Sequence, residues 1–478
     1  MNRRFDLHVL GWLLLLTSAL LLVPLAFAIA FHDAPGPFLG ALLLAALAGG
    51  GLVFMTRTRE RGLRARDGFL VVSGAWLITS VVGALPYLLA GVLGPVDALF
   101  ESVSGFTTTG STVIADVTGL PRSLLLWRAM TQWLGGMGII LFSIAILPLL
   151  GIGGMQLFKA EVPGPVADKV RPRLAATART LWGLYVGFTV AQWVLLMLCG
   201  LDWFEALCHA FTTLATGGFS TRNGSVGEFG SPAVEWVVIV FMLVAGINFV
   251  LHYKLLVGRW RDVLRDVELR YFLAVVSTAV ALLLVVLWDS GGNVHETVRA
   301  AVFQAVSIIT TTGYVSADFE RWPHAAQFFL VALMFFGGMS GSTGGGPKSL
   351  RIVLALRSLR ATVHRFIHPH AVVPVKYHGQ VVGDEVLSGV TAFLTAYALL
   401  AGAAAAVVAA AGYDFTTAVS AALTAIGNVG PGLGAVGAMD NFAHFPALVK
   451  LVLSACMLLG RLEIFTILVL CSRQFWKH

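Results

Sequence analysis

The sequence predicts an all-α membrane protein. Four copies of one unit (span, re-entrant pore helix, filter loop, span) surround a single pore, and two extra spans precede them. Three observations carry this expectation. The 478 residues are 57% hydrophobic and only 12% charged, with a mean hydropathy of +0.84. Soluble domains carry roughly 25% charged residues, and here apolar runs of about 20 residues recur along the chain. The second observation is a repeated phrase, and the third is the placement of the basic residues.

The phrase is Thr310-Thr311-Thr312-Gly313-Tyr314, which restates Thr107-Thr108-Thr109-Gly110. Ala215-Thr216-Gly217-Gly218-Phe219 is a looser copy, and Gly427-Asn428-Val429-Gly430-Pro431 is a fourth. With Gly110, Gly218, Gly313 and Gly430 taken as equivalent, the intervals are 108, 95 and 117 residues. A period near one hundred signals repeats of one structural unit. Each phrase ends a short amphipathic segment that lies between two long apolar runs. An ion pore needs that order, because carbonyls in an extended loop can replace a hydration shell and glycine permits the backbone shape.

The net charge of +7 is distributed unevenly, with 25 of 32 basic residues on alternate loops. Arg3 and Arg4 open the chain; Arg57, Arg59, Arg61, Arg64 and Arg66 follow the second run. Lys159, Lys169, Arg171, Arg173 and Arg179 fill a third loop, and Lys254, Arg259, Arg261, Arg265 and Arg270 a fourth. Lys348, Arg351, Arg357, Arg360, Arg365 and Lys376 fill a fifth, and Arg473 and Lys477 close the chain. The positive-inside rule puts these loops and both termini in the cytoplasm. Membrane topology therefore accounts for the charge, and no nucleic-acid partner is expected. Cys199, Cys208, Cys456 and Cys471 have no framework spacing, so no disulfides are expected. The run from Arg3-Arg4 to Ala28 imitates a signal peptide, but it is long and a second span follows, so an uncleaved first helix is expected.

Residues 1–67 form the two-span appendage, which lacks the phrase. Pore unit one covers 68–155, unit two 156–258 and unit three 259–350; 351–385 is a cytoplasmic connector and 386–478 is unit four. Ten full spans and four re-entrant helices result. The short helices begin near Asp97, Asp202, Asn293 and Asp414, each suited to cap a first turn. Entering from outside, they aim their negative C-terminal ends at the pore centre, which favours a cation. Beyond the loops stand Asp116, Glu228, Asp318 and Asp440, readable either as acids that concentrate cations at the mouth or as solvated loop residues.

A second register of glycines (Gly135-Gly136, Gly246, Gly337-Gly338 and Gly460) lies 24 to 30 residues past the filter glycines. In unit three it opens the stretch Gly337 to Lys348, too rich in glycine to stay a straight helix. Gly341 to Ser349 nearly spells a phosphate-binding loop, but Pro347 intrudes before Lys348 and no strand precedes it. Gly341, Ser342, Thr343, Gly344, Gly345 and Gly346 are better read as a gate under the filter. Arg461 sits inside the last apolar run, where a charge costs about 3 kcal/mol or more. Glu463, two residues on, does not share its helix face. Arg461 is therefore expected to face inward beside that gate as a barrier to cations. The connector promises a basic helix and a hairpin, suited to docking a cytoplasmic partner. His364, His368, His370 and His378 in it lack the companions of a metal site.

At these residues the chain resembles the Trk/Ktr/HKT superfamily of potassium transporters, within it the bacterial TrkH-type branch. The resemblance covers essentially the whole chain. It rests on the four phrases, Gly341 to Gly346, His368-Pro369 to Lys376, Gly460-Arg461-Leu462-Glu463, and the extra N-terminal spans. It implies potassium uptake across a bacterial inner membrane through a gated, potential-driven pore. It also implies a lipid-embedded homodimer gated by a cytoplasmic ring of TrkA-type nucleotide-binding subunits. No cofactor is expected in this chain, any nucleotide belonging to that partner and K+ being the transported ion. By the same resemblance the carbonyls of Thr108 and Thr109, Thr216 and Gly217, Thr311 and Thr312, and Asn428 and Val429 line the filter. Gly110, Gly218, Gly313 and Gly430 close it; a serine at the first of these accompanies sodium transport in the plant branch. The loops depart from the channel pattern TVGYG, above all at Asn428 to Pro431, which implies a more sodium-tolerant filter.

A coupled symport of potassium with protons or sodium is the alternative on the same fold, with Glu463 as the available protonatable group. A membrane enzyme would need a nucleophile–base set or metal ligands at membrane depth. The histidines lie mostly in loops and at the ends of spans, with His209 within a pore helix, so no enzyme is expected.

Overall fold

The computed structural model describes residues 3–57, 65–145, 170–288 and 293–477. The end of the first returning run (146–150), the boundary at 155/156, and Arg59, Arg61, Arg64, Lys159 and Lys169 lie outside the described residues. Among the described residues the architecture is all-α, with one two-stranded hairpin.

The appendage consists of α1 (Arg3–Leu20), α2 (Leu22–Ala30) and α3 (Gly36–Met55). Small residues let α1 and α3 cross closely: a β-carbon on Gly11 would lie 2.9 Å from Val53, and one on Gly49 2.9 Å from Leu14. Such contacts replace the hydrophobic driving force that lipid does not supply.

Unit one comprises α4 (Ala65–Leu89), α5 (Pro95–Phe106) and α6 (Arg122–Ala145). Unit two comprises α7 (Val170–Leu198), α8 (Trp203–Leu214), α9 (Pro232–Gly246) and α10 (Phe249–Leu256). After a short α11 (Trp260–Leu264), unit three comprises α12 (Val267–Leu287), α13 (Val294–Ile309) and α14 (His324–Leu333). The connector holds α15 (Ser349–Ile367), β1 (Lys376–Tyr377) and β2 (Gln380–Val381). Unit four comprises α16 (Asp384–Ala410), α17 (Phe415–Gly427) and α18 (Ala447–Arg461), followed by α19 (Phe465–Leu468) and α20 (Arg473–Trp476).

Among the described residues six helices are long and apolar enough to cross a membrane, and the number rises to eight if each of two bent helix pairs is one span. The pairs are α9 with α10, bent by 101°, and α18 with the helical turns 465–471, bent by 106°. The second bend contains Glu463 and Ile464, both at positive φ (62° and 53°). Left-handed backbone at such residues costs about 1–3 kcal/mol each and concentrates at functional sites. The returning run of unit three departs furthest from a straight span. α14 lasts ten residues, and the glycine-rich stretch then folds back as irregular backbone before α15. Irregular backbone at membrane depth is stable only when buried in protein or lining a cavity.

The four pore helices α5, α8, α13 and α17 are 12 to 16 residues long, too short to span. Asp202, Asn293 and Asp414 cap three of them, accepting from the backbone amides of Phe204, His295 and Thr417. The first departs from expectation. Gly94 and Pro95 start α5, and Asp97 instead forms an ion pair with Lys450 Nζ at 2.6 Å. Proline at the first helical position replaces the cap there, which frees the carboxylate for the returning span of unit four.

Candidate ion pathway

The four phrases adopt one backbone conformation. Thr108, Thr216, Thr311 and Asn428 have φ between 53° and 58°, and two residues later Gly110, Gly218, Gly313 and Gly430 have φ between 76° and 114°. In each copy one amide reaches back three residues and the next reaches back five. The pairs are Thr108 to Gly105 with Thr109 to Ser104, and Thr216 to Thr213 with Gly217 to Thr212. Thr311 to Ile308 with Thr312 to Ser307, and Asn428 to Ala425 with Val429 to Thr424, complete the set. These bonds unwind the helix C-terminus into an extended loop while still satisfying its last carbonyls.

The loops meet as a ring. A β-carbon on Gly110 would fall 2.1 Å from the Gly217 carbonyl oxygen, one on Gly218 2.0 Å from that of Thr312, and one on Gly313 1.9 Å from that of Val429. One on Gly430 would lie 2.9 Å from the Thr109 oxygen, which closes the cycle. Each glycine is needed twice, for its positive φ and for the approach of its neighbour's carbonyl. All four line one outer vestibule.

The eight residues carried over as filter positions fall on this ring, and all eight are buried. Among the described residues no hydrogen bond reaches the carbonyl oxygens of Thr108, Thr109, Thr216, Thr311, Thr312, Asn428 or Val429. Buried backbone carbonyls are nearly always paired, so seven free ones at a single locus mark a place where something else supplies their partner. Hard cations without strong geometric demands take such oxygen sets. The Gly217 carbonyl differs, accepting from Gln132 Nε2 at 2.7 Å.

Beneath the ring lies the glycine-rich loop. Thr343 Oγ1 donates to the carbonyls of Leu214 (3.0 Å) and Ala245 (3.1 Å), and Gly345 N donates to Thr311 Oγ1 (2.6 Å). A β-carbon on Gly344 would lie 3.1 Å from the Thr310 oxygen, and one on Gly345 2.6 Å from the Gly427 oxygen. The loop thus touches the pore-helix ends of units two, three and four. Gly341 O accepts from Phe249 N (3.1 Å), Ser342 Oγ donates to Met339 O, and Gly346 has a positive φ of 64°. Lys348 donates to Gly344 O within the loop. From unit four, Arg461 Nη1 donates to the Thr343 carbonyl at 2.8 Å, and Nη2 lies 3.5 Å from that of Gly135 in unit one. Arg461 is buried against the loop. Glu463 points elsewhere and pairs with Arg351 of α15.

The glycines of the second register have steric roles. β-Carbons on Gly135 and Gly460 would collide with the carbonyls of Phe106 and Ile426 (both 1.9 Å), and one on Gly246 with Thr310 (2.8 Å). The returning helices therefore press against pore-helix C-termini.

The outer acids do not form a fourfold set. Asp116 accepts from Thr118 and Asn223, Glu228 from Gly224 N, and Asp318 caps the turn 319–321 and pairs with Arg321. Asp440 alone among them lines the vestibule. The hydrogen bonds from Thr118 and Asn223 hold the Asp116 carboxyl below its ordinary range. Among the described residues no three of His, Cys, Asp and Glu gather as a metal-ligand group.

Sequence reasoning passed over a buried cluster between units one and two. Arg128 and Glu101 form an ion pair at 2.8 Å, Arg128 also donates to Ser220 O (3.1 Å), and its guanidinium lies 3.9 Å over the Phe219 ring. Glu101 further accepts from Val113 N (2.9 Å) and Thr112 Oγ1. The signal that exposed Arg461, a charge inside an apolar returning run, also marks Arg128 and Lys450.

The family described as TrkH, cation transport protein, matches residues 37–477. The Trk system potassium uptake protein TrkH of Escherichia coli (strain K12) is 41% identical over 487 aligned residues, covering 100% of both chains. The Trk system potassium uptake protein TrkG of the same strain is 36% identical over 98% of each. The crystal structure of the potassium transporter TrkH from Vibrio parahaemolyticus superposes with a TM-score of 0.91, at 37% identity over 100% of both chains.

Proposed function

The chain belongs to the TrkH family of cation transport proteins, and from that premise we propose that it takes potassium into the bacterial cell through a gated pore driven by the membrane potential. The observation that carries this reading is the ring of seven buried carbonyls free of hydrogen bonds, contributed by all four repeats. Potassium sheds its hydration shell among them, and the four pore-helix dipoles favour a cation at the ring. The ion is cargo, and no chemistry is performed on it. The glycine-rich loop and Arg461 are the gate: the loop obstructs the path below the ring, and the buried guanidinium adds a charge barrier. Opening requires both to withdraw, and the bends at 246–249 and 461–465 are the hinges available for it.

Several features support the wider assembly. The cytoplasmic placement of the basic loops suits an inner-membrane protein with both termini inside. The basic helix α15 and the hairpin present a surface for a TrkA-type nucleotide-binding subunit, and two chains form the transporter. The proton-coupled alternative is disfavoured, because Glu463, the acid it would use, is ion-paired with Arg351.

The test is ion flux into proteoliposomes holding the full chain, under potassium or sodium gradients and a clamped potential. Potassium flux that follows the potential without moving protons is expected. Flux tied to a proton or sodium gradient would replace this reading with symport.

A further inference from the structure

Glu268 is the second residue of α12, on the outgoing span of unit three, and is 4% exposed. Its Oε1 accepts two backbone hydrogen bonds, from Ser340 N at 2.7 Å and from Leu350 N at 3.1 Å. Those amides stand at the two ends of the glycine-rich loop. One side chain from a neighbouring helix therefore pins both feet of the loop. Leu350 also lies in the first turn of α15, whose N-cap residue Lys348 offers no side-chain cap. Glu268 supplies that cap from outside, its carboxyl oxygen set at the N-terminal end of a 19-residue helix. The loop base has its own closure, with Ser349 N donating to Gly338 O and Ser349 Oγ to Gly337 O. Those bonds hold the loop to itself, whereas Glu268 holds it to the bundle. Two residues earlier, Asp266 caps α12 and lies 3.5 Å from His378, at the turn of the connector hairpin.

We propose that Glu268 is a positioning residue for gating, a latch that keeps the glycine-rich loop closed and ties its release to movement of α15 and the connector. The inference rests on the reading of that loop as the gate. A displacement of α15 by a cytoplasmic partner breaks the Leu350 bond first and leaves the Ser340 bond to hold the loop alone. The latch needs an acceptor oxygen at this reach more than it needs a charge, so an amide serves in its place and an alkyl group does not.

The experiment measures potassium flux into proteoliposomes of the full chain without partner, for Glu268→Ala, Glu268→Gln and Arg461→Ala. A second readout is the rate at which a charged thiol reagent modifies Ser340→Cys, alone and combined with each Glu268 variant. Loss of hydrogen bonds to a buried acceptor shifts a closed–open balance by about tenfold. Glu268→Ala should raise flux and speed modification by that order, while Glu268→Gln stays near the parent in both. The latch is overturned if Glu268→Ala matches the parent in both readouts while Arg461→Ala raises flux. If neither Arg461→Ala nor Glu268→Ala raises flux, the gate reading itself fails and the latch with it. Should Glu268→Ala not assemble, Glu268→Asp, one methylene short of its partners, carries the test: raised flux or faster modification supports the latch, and parent behaviour in both overturns it.

Discussion

Units one and two differ from units three and four in how they hold the same ring. On the first side the ring is backed by side chains of the pore helices and of α6. Nine residues before the filter glycine stands Glu101 in unit one and His209 in unit two. Each bonds to the residue two past that glycine, Glu101 to Thr112 and His209 Nε2 to Ser220 at 3.0 Å. From α6, Gln132 grips unit two at both the Gly217 carbonyl and Phe219 N (3.1 Å), and Arg128 spans from Glu101 to Ser220. On the other side the same two positions are Gln304 with Val315, and Ala421 with Gly432, which cannot pair in this way. There the ring rests on the glycine-rich loop, through Thr311 to Gly345, and on Asn428 Nδ2 reaching Thr109 Oγ1 and Met457 O, both at 2.9 Å. Backbone symmetry is fourfold while side-chain support is two-sided. The first half is a wall of side chains, and the second leans on the glycine-rich loop.

The largest expected effects test the ring itself. Gly313→Ala places a β-carbon 1.9 Å from a backbone oxygen at φ 76°, so potassium uptake should fall by about a hundredfold or more, since backbone strain and a clash of several kcal/mol must both be relieved. Gly430→Ala, with 2.9 Å to the nearest oxygen, should retain measurable uptake. Equal loss in both, measured by growth of an uptake-deficient bacterium at limiting potassium, would show that the closeness of the neighbouring carbonyl does not set the size of the effect.

Next in size is the wall. Arg128→Met leaves Glu101 buried and unpaired, and removing one partner of a buried pair costs about 3–5 kcal/mol. A markedly lower thermal unfolding temperature in detergent is expected, with partial recovery in Glu101→Gln/Arg128→Met. No recovery in the double variant would mean that the pair itself is not the stabilising contact.

Gln132→Leu should be milder. It frees the Gly217 carbonyl and orphans the Phe219 amide, at about 1–3 kcal/mol. The expected consequence is a lower potassium-to-sodium flux ratio with the fold intact. An unchanged ratio would show that the unit-two loop keeps its shape without the clasp.

The smallest effect concerns the outer rim. The bonds from Thr118 and Asn223 depress the Asp116 carboxyl, so their stabilisation is present above the ordinary carboxylate range and is lost as pH falls through the depressed folded value. Asp116 is fully exposed, so hydrogen exchange in residues 115–119 should quicken in acid while flux at neutral pH is unchanged in Asp116→Asn.

Much of this was legible in the chain. Hydropathy marked the spans, because a bilayer admits few alternatives to a helix for satisfying backbone groups. The period near one hundred residues marked the repeats, and the glycine at each phrase marked a left-handed position that few other residues tolerate. Arg461 stood out because charge is rare in apolar runs. Tertiary structure decided what depends on who faces whom. It sent Asp97 to Lys450 rather than to its own helix end, gave Glu463 to Arg351, and dispersed three of the four outer acids into local turns. It also placed the carbonyl of each repeat against the glycine of the next, and Glu268 across both feet of the loop. Periodicity and propensity act over a few residues and can be read along the chain. A hydrogen bond between Ser340 and Glu268, 72 residues apart, exists only once the bundle has closed.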